Sequence, residues 1–242
     1  MLTRSHEMGP DHLLRVQCIC NYMEEAASLH AQALGAGADD LAGHGLAWAL
    51  AKIRLVLSRR PAAGEEVVMQ TWPVAIERAR FRRDFLLCGV SGDVLAAAVT
   101  QWVVMGLNSR RLERFPDFVA AMQPDNPPLA LEDGEIRIPA LSANAAPGPV
   151  FPVRLADIDQ NRHVNNVRYV DFALEAAEIS ALPSASGGSP RLLDIVFRAE
   201  GRYGDVICSK TMPERDAPGA CIHGLFRASD GQELARCRTV YS

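Results

Sequence analysis

The chain has 242 residues, of which 48% are hydrophobic and 22% are charged, and its formal net charge is −4. This composition is typical of a soluble globular protein with a substantial core, and the negative charge argues against general affinity for nucleic acid. No apolar run of about 18 residues occurs and the first residues lack a signal-like apolar core, so the sequence predicts a cytoplasmic protein without a membrane partner.

The first half of the chain predicts one helix followed by antiparallel strands. Apolar residues recur at helical spacing over 22–34, and Gly35 is a typical stop for a helix. Residues 53–71 then read as strand, turn and strand, with Gly64 at the turn. A further glycine-containing turn at 91–93 separates two more apolar strands.

The middle of the chain predicts a linker, and a second helix follows it. Residues 116–150 are rich in Pro, Asp and Ala, which is typical of a segment that crosses the surface. Residues 167–179 show the second helical pattern, with Asn165 and Asn166 as capping candidates before it and Pro183 after it.

The strands of the second half repeat those of the first half. Without gaps, residues 53–71 align with 193–211 and bring their turn glycines together, and residues 91–96 align with 230–235. One helix with about five strands can cover its apolar faces only if the sheet wraps around the helix. The sequence therefore predicts an α+β fold with two such units in tandem.

Polar residues that can carry chemistry are concentrated before the second helix, where residues 157–169 read Asp-Ile-Asp-Gln-Asn-Arg-His-Val-Asn-Asn-Val-Arg-Tyr. Alternation would point Asp159, Asn161 and His163 to one side, beside a helix N-terminus that favours developing negative charge. Ester or thioester hydrolysis needs such groups to activate water or attack the carbonyl and to stabilise the oxyanion. The alternative is a polar turn that only caps the helix.

Comparison of the two halves favours chemistry over capping. When the two helical patterns are aligned, Gly9, Asp11 and Leu13 stand at the positions of this cluster. When the strands are aligned, Arg60 stands opposite Glu200. The first half therefore keeps the scaffold and lacks the cluster, as expected if the protein needs a single active site.

Residues 157–169 resemble the signature of the acyl-ACP thioesterases of plants and bacteria, Asp-x-Asn-x-His-Val-Asn-Asn-x-x-Tyr. The likeness extends over nearly the whole chain, and includes Gly45-Leu-Ala-Trp48 and Arg60-Pro61. This resemblance implies two tandem hot-dog domains, each an antiparallel sheet wrapped around one long helix. It divides the chain as follows: an N-terminal domain over 1–115 that holds the acyl chain, the linker over 116–150, and a catalytic C-terminal domain over 151–242.

The resemblance also implies catalytic roles for Asp159, Asn161, His163 and Glu200. The family often has a cysteine directly after the glutamate, sometimes proposed as the nucleophile, but this chain has Gly201 there. We therefore expect water to attack the thioester carbonyl, with Glu200 as the leading candidate for the general base. An Asp159 nucleophile that forms a transient anhydride is the variant of this mechanism. No cofactor and no metal are expected.

The sequence thus supports the hypothesis that the protein hydrolyses fatty acyl-ACP in fatty acid biosynthesis, with acyl carrier protein as its partner. Three alternatives stay open: an acyl-CoA thioesterase, a non-catalytic acyl-binding or regulatory protein, and a hot-dog hydratase or dehydratase. The oligomeric state is also open, and a homodimer is one of the options.

Two further groups of residues lead to structural expectations. Two arginine clusters are expected to form a solvated face, and the alternative is that they dock an acidic carrier or a phosphate. The clusters are Arg78, Arg80, Arg82 and Arg83, then Arg110, Arg111 and Arg114. The six cysteines lack zinc-ligand spacing and are expected to pack as small apolar groups.

Overall fold

The computed structural model describes residues 1–77, 79–132, 135–179 and 190–241. The chain forms two compact units, Met1–Gly134 and Glu135–Ser242. Each unit contains one long helix and an antiparallel sheet, which confirms the predicted α+β architecture. No helix among the described residues is long and apolar enough to cross a membrane.

The first unit pairs its strands in the order β2-β3-β4-β1, all antiparallel, and β5 pairs with β4. Its elements are α1 (Val16–Ala33), α2 (Ala38–Gly43), β1 (Leu46–Leu57), β2 (Val67–Glu77), β3 (Arg80–Gly89), β4 (Val94–Gly106), β5 (Leu112–Glu113) and α3 (Asp117–Ala120). Helix α1 packs against β2. It begins at Val16 rather than near Tyr22, because Val16, Ile19 and Cys20 are buried and extend its apolar face.

The second unit pairs its strands in the order β7-β10-β9-β8-β6, again antiparallel. Its elements are β6 (Ala146–Pro152), α4 (Asn166–Ile179), β7 (Pro190–Phe197), β8 (Val206–Pro213), β9 (Ala220–Arg227) and β10 (Glu233–Tyr241). Helix α4 packs against β6, β8, β9 and β10, and its residues Val170 and Ala173 are fully buried. Pro183, the predicted stop after this helix, lies outside the described residues.

The internal repeat is visible in the backbone of the two units. Strands β1 and β2 are joined by a turn at Gly64, and β7 and β8 by a turn at Gly204. Both glycines adopt positive φ, 75° and 87°, a conformation that other residues rarely take. Gly92 and Gly231, in the next turn of each unit, also have positive φ.

The segment over 116–150, predicted as a surface linker, contains regular and buried structure. It includes α3 and the first residues of β6. Val119 and Ile136 within it are almost fully buried. The apolar residues of this segment therefore pack onto the folded units, which its Pro- and Asp-rich composition did not indicate.

The prediction of a solvated face is wrong for the first arginine cluster. Arg80 is exposed, but Arg82 binds the fully buried carboxylate of Asp84, and Arg83 is only 3% exposed because it points toward α1. Arg78 lies outside the described residues. The second cluster is exposed, as predicted: Arg110, Arg111 and Arg114.

Most of the cysteines are buried in the two units, which agrees with their expected packing as small apolar groups. The buried ones are Cys20, Cys88, Cys221 and Cys237, and Cys18 and Cys208 are partly exposed.

A buried row of polar side chains crosses three strands of the second sheet. The ring nitrogens of His223 on β9 lie 3.0 Å from Thr211 Oγ1 on β8 and 2.9 Å from Thr239 Oγ1 on β10. Burial lowers the pKa of His223 to about 4. The two hydroxyls satisfy the neutral ring, so the folded protein keeps His223 uncharged.

We expect the unfolding free energy to fall between pH 6.5 and about 4 more steeply in the wild type than in His223→Gln. Between these values the unfolded chain protonates the histidine and the folded chain does not, so the stabilisation is complete above pH 6.5 and lost by about pH 4. The difference should reach about 3 kcal/mol. Urea unfolding at stepped pH measures it, with the exposed His6→Gln as control. Parallel curves for the wild type and His223→Gln would contradict the prediction.

Candidate active site

The candidate site is built on a tight turn that precedes α4. The Asp159 N–H donates to the His163 carbonyl at 2.9 Å, and the Arg162 N–H donates to the Asp159 carbonyl at 3.0 Å. Arg162 adopts φ 64°, and an isolated antiparallel bridge between Ile158 and Val164 closes the turn. The geometry of this turn, rather than the strand-like alternation expected from sequence, determines where the polar side chains project.

Helix α4 is capped by Asn165, outside the cluster of Asp159, Asn161 and His163. The Asn165 side-chain oxygen accepts the Val167 N–H at 2.7 Å, which is the usual bond of an N-cap residue. Helix capping therefore does not explain why the cluster is polar.

A buried carboxylate, Asp157, anchors the start of the turn. It accepts the Arg154 backbone N–H at 2.8 Å and the Arg154 guanidinium at 2.9 Å, and Arg168 Nε lies 3.5 Å away. Burial by itself would raise the pKa of Asp157, but the hydrogen bonds from Arg154 and the charges of both arginines outweigh burial and lower it. Asp157 is therefore ionised at neutral pH.

His163 and Glu200 meet at the centre of the candidate site. His163 Nε2 lies 3.0 Å from Glu200 Oε2, and the two side chains are 24% and 36% exposed. The Val164 N–H donates to the Gly201 carbonyl at 2.9 Å, which joins the residue after His163 to the residue after Glu200. The two residues therefore form a partly exposed pair, across a sequence separation that only the fold can close.

Asp159 and Asn161 contact each other within the same turn. Asp159 Oδ1 accepts the Asn161 N–H at 2.8 Å, and Asp159 Oδ2 lies 3.4 Å from Asn161 Nδ2. Asp159 Oδ1 also lies 3.5 Å from the His163 backbone nitrogen. The structure thus brings His163 and Glu200 together directly, and it places Asp159 beside His163 through the backbone rather than the imidazole.

The same turn occurs in the first unit with the same backbone bonds. The Gly9 N–H donates to the Leu13 carbonyl at 2.8 Å, and the Leu14 N–H donates to the Pro61 carbonyl at 2.8 Å. These bonds match those of the second unit position by position under the alignment of the halves. The turn is therefore a shared scaffold, and the side chains mounted on it differ.

The first unit carries an ion pair in place of the polar cluster. Arg60, at the position of Glu200, binds the carboxylate of Asp11, at the position of Asn161. Leu13 stands at the position of His163 and has no group that can transfer a proton. These positions of the first unit therefore lack both the imidazole and the candidate base.

Two contacts of the site could not be anticipated from sequence. The Tyr169 hydroxyl accepts the Gly201 N–H at 2.8 Å, and Arg227 Nη2 donates to the Glu200 carbonyl at 3.2 Å. The signature motif ends at Tyr169, but the motif alone assigns no partner to its hydroxyl. Arg227, on β9, has no such sequence signal.

Each unit packs an antiparallel sheet against one long helix, as hot-dog domains do, and the described part of the second unit carries an imidazole–carboxylate pair beside the start of its helix. Residues 1–122 match the family description "Acyl-ACP thioesterase N-terminal domain", and residues 144–242 match "Acyl-ACP thioesterase C-terminal domain". The chain belongs to the acyl-ACP thioesterase family. The expected tandem hot-dog fold is thereby confirmed.

Curated relatives of the chain are plant proteins. It is 30% identical to the palmitoyl-acyl carrier protein thioesterase, chloroplastic, of Cuphea hookeriana, over 98% of this chain and 60% of that protein. It is 29% identical to the oleoyl-acyl carrier protein thioesterase 1, chloroplastic, of Arabidopsis thaliana, over 99% of this chain and 74% of that protein. The chain therefore spans about three fifths of the length of the Cuphea protein.

Solved structures agree with the family assignment. The 12:0-ACP thioesterase from Umbellularia californica matches with TM-score 0.86 and 26% identity, over 100% of this chain and 95% of that chain. An acyl-ACP thioesterase from Bacteroides thetaiotaomicron has the same fold, with TM-score 0.88 and 20% identity, over 100% of this chain and 96% of that chain.

We expect Asn165→Ala to lower the unfolding free energy by about 1 kcal/mol, because it removes the side-chain cap of α4. Asn166→Ala, one residue further on, removes a side chain of the same type without that cap and serves as the matched control. Urea unfolding of both variants measures the difference. Equal losses in the two variants would show that Asn165 does not cap the helix.

Proposed function

We propose that this chain hydrolyses the thioester bond of fatty acyl-ACP and releases the free fatty acid. The contact between His163 and Glu200 is the observation that carries the proposal. An imidazole and a carboxylate 3.0 Å apart and partly exposed are the groups that water attack on a carbonyl needs. Binding an apolar chain without turnover requires neither group.

In the proposed mechanism Glu200 acts as general base. It takes a proton from a water molecule while the water oxygen bonds to the thioester carbonyl carbon and the carbonyl oxygen becomes an oxyanion. Collapse of this intermediate breaks the carbon–sulfur bond, and the leaving thiolate receives the proton. His163, in contact with Glu200 Oε2, orients the carboxylate and the water.

The contacts of Asp159 support an orienting role rather than nucleophilic attack. One of its oxygens already accepts the Asn161 N–H at 2.8 Å, within the turn itself. A carboxylate that holds the backbone in this way is less available to form an anhydride with the substrate. Asp159 and Asn161 therefore hold the turn on which His163 is mounted, and Glu200 stays the leading candidate for the base.

The start of α4 offers one backbone donor for the oxyanion. The Val167 N–H is bonded to the Asn165 side chain, and the Arg168 N–H to the Asn165 carbonyl. The N–H of Asn166, the first residue of the helix, belongs to the amides for which an α-helix itself provides no carbonyl acceptor. We assign it the oxyanion, because the N-terminus of a helix favours negative charge.

We expect Glu200→Gln and His163→Ala each to reduce turnover of palmitoyl-ACP by about two to four powers of ten. Release of the carrier thiol, measured with a thiol reagent under saturating substrate, gives the rate. Glu178→Gln, which neutralises an exposed carboxylate on α4, should leave the rate unchanged. Near-wild-type rates in correctly folded Glu200→Gln would remove Glu200 from the mechanism.

The acyl chain is assigned to the first unit. This unit lacks the imidazole–carboxylate pair at its turn, and it contains a cluster of aromatic rings: Trp48, Phe81, Trp102 and Phe115. An apolar chain gains free energy from burial against such side chains. We therefore keep the division into an acyl-binding domain over 1–115 and a catalytic domain over 151–242 as part of the proposal.

Acyl carrier protein is the proposed partner, because an exposed arginine stands close in the sequence to each member of the pair. Arg162 directly precedes His163, and Arg202 follows Glu200 by two residues; both are exposed. Arginines in such positions attract the acidic surface and the phosphate of a carrier. The cytoplasmic location and the homodimer stay predictions.

We expect kcat/KM to be higher for palmitoyl-ACP than for palmitoyl-CoA at low salt and to fall more steeply as salt is added. The double variant Arg162→Gln, Arg202→Gln should lower the ACP value by roughly three- to tenfold, since exposed charge pairs contribute up to about 1 kcal/mol each. Arg191→Gln, an exposed change on β7, is the control. A preference for the CoA substrate would favour the acyl-CoA thioesterase alternative.

A further inference from the structure

Tyr169 makes a buried hydrogen bond next to the proposed base. It is the fourth residue of α4 and is only 2% exposed. Its hydroxyl oxygen accepts the Gly201 N–H at 2.8 Å. Burial raises the pKa of Tyr169 to about 12, so the phenol is neutral whenever the enzyme works.

Both polar groups of Gly201 are thereby attached to the segment that carries His163. Its N–H binds the Tyr169 hydroxyl, and its carbonyl accepts the Val164 N–H at 2.9 Å. A Cβ atom at position 201 would lie 2.9 Å from the Tyr169 hydroxyl and 3.0 Å from Val164 Cγ2. A residue with a Cβ atom would therefore have to displace one of these neighbours, and glycine leaves room for the close approach.

The first unit shows that the fold does not need the tyrosine bond. It keeps the equivalent bond to a carbonyl, from the Leu14 N–H to Pro61. Pro61, at the position of Gly201, has no N–H, and Ile19, at the position of Tyr169, has no hydroxyl. Donor and acceptor are thus both present in the unit with the His163–Glu200 pair, and both absent in its duplicate.

We propose that Tyr169 is a positioning residue: through the Gly201 N–H it holds the Glu200–Gly201 peptide so that the Glu200 carboxylate stays against His163. The inference rests on the proposed function, because it concerns the same site. Tyr169 acts on the reaction only through Glu200, and its hydroxyl takes no proton from the substrate.

Loss of the hydroxyl should loosen Glu200 without unfolding the unit. The Val164 bond to Gly201 and the Arg227 bond to the Glu200 carbonyl remain in Tyr169→Phe. A carboxylate displaced by even about 1 Å from its working position can lower the rate by about a hundredfold. We therefore expect kcat to fall and KM to change little, since the substitution leaves the contacts with the acyl chain and the carrier in place.

The test compares Tyr169→Phe with Tyr241→Phe on palmitoyl-ACP. We expect kcat of Tyr169→Phe to fall by about ten- to a hundredfold while KM stays within about twofold. Tyr241 is a second buried tyrosine of this unit, at the far end of β10, and its hydroxyl bonds Thr239. Tyr241→Phe should keep the wild-type kcat. Equal kcat in Tyr169→Phe and the wild type would overturn the inference.

A wild-type chain that hydrolyses no acyl thioester would refute the proposed function, and the inference would then be decided by NMR. The His163 imidazole resonances report its contact with Glu200. They should shift in Tyr169→Phe and stay in place in Tyr241→Phe. Unchanged His163 resonances in Tyr169→Phe would refute the positioning role independently of any activity.

Discussion

One backbone hydrogen bond, from the Val164 N–H to the Gly201 carbonyl, brings the candidate site together. It ties the turn before α4 to the segment that follows β7, and it lies one residue away from both His163 and Glu200. The bond uses main-chain atoms only, so it holds the two backbone segments together whatever side chains they carry. The 3.0 Å contact between His163 and Glu200 is a consequence of where these segments place the two side chains. A backbone bond shielded from water also keeps the two residues in a fixed relative position, as pre-organised catalysis requires.

The duplicated units separate scaffold from chemistry. Both have the turn before the long helix and the bond from that turn to the neighbouring segment, at 2.8 and 2.9 Å. On this backbone the first unit carries the Arg60–Asp11 ion pair, and the second unit carries the His163–Glu200 pair. Since the backbone satisfies its own hydrogen bonds in both units, the side chains can differ without loss of the fold. Tyr169 and Gly201 extend this division, because their bond occurs only where the pair is present.

The first arginine cluster shows where a prediction from residue type alone was wrong. Arg82 and Arg83 are adjacent in the sequence, yet Arg82 is bound by buried Asp84 and Arg83 points inward toward α1. Adjacent residues of a strand lie on opposite faces, so both can be covered when each face meets other structure. Composition gave no indication of that covering. The start of α1 at Val16 was missed for a related reason, since tertiary packing sets how far an apolar helix face extends.

The sequence by itself determined the two helix-and-sheet units and the repeat that relates them, and it predicted Asp159, Asn161, His163 and Glu200 as candidate site residues. The units and the repeat follow from periodicity and turn glycines, and the four candidates follow from a polar motif and its resemblance to a known family. Only the tertiary structure decided which of the four side chains meet, that Asp159 bonds the turn instead of the imidazole, and that Tyr169 reaches Gly201. The reason is physical: contacts between residues far apart along the chain depend on how the turn and the strand are packed, and local sequence patterns do not encode those distances.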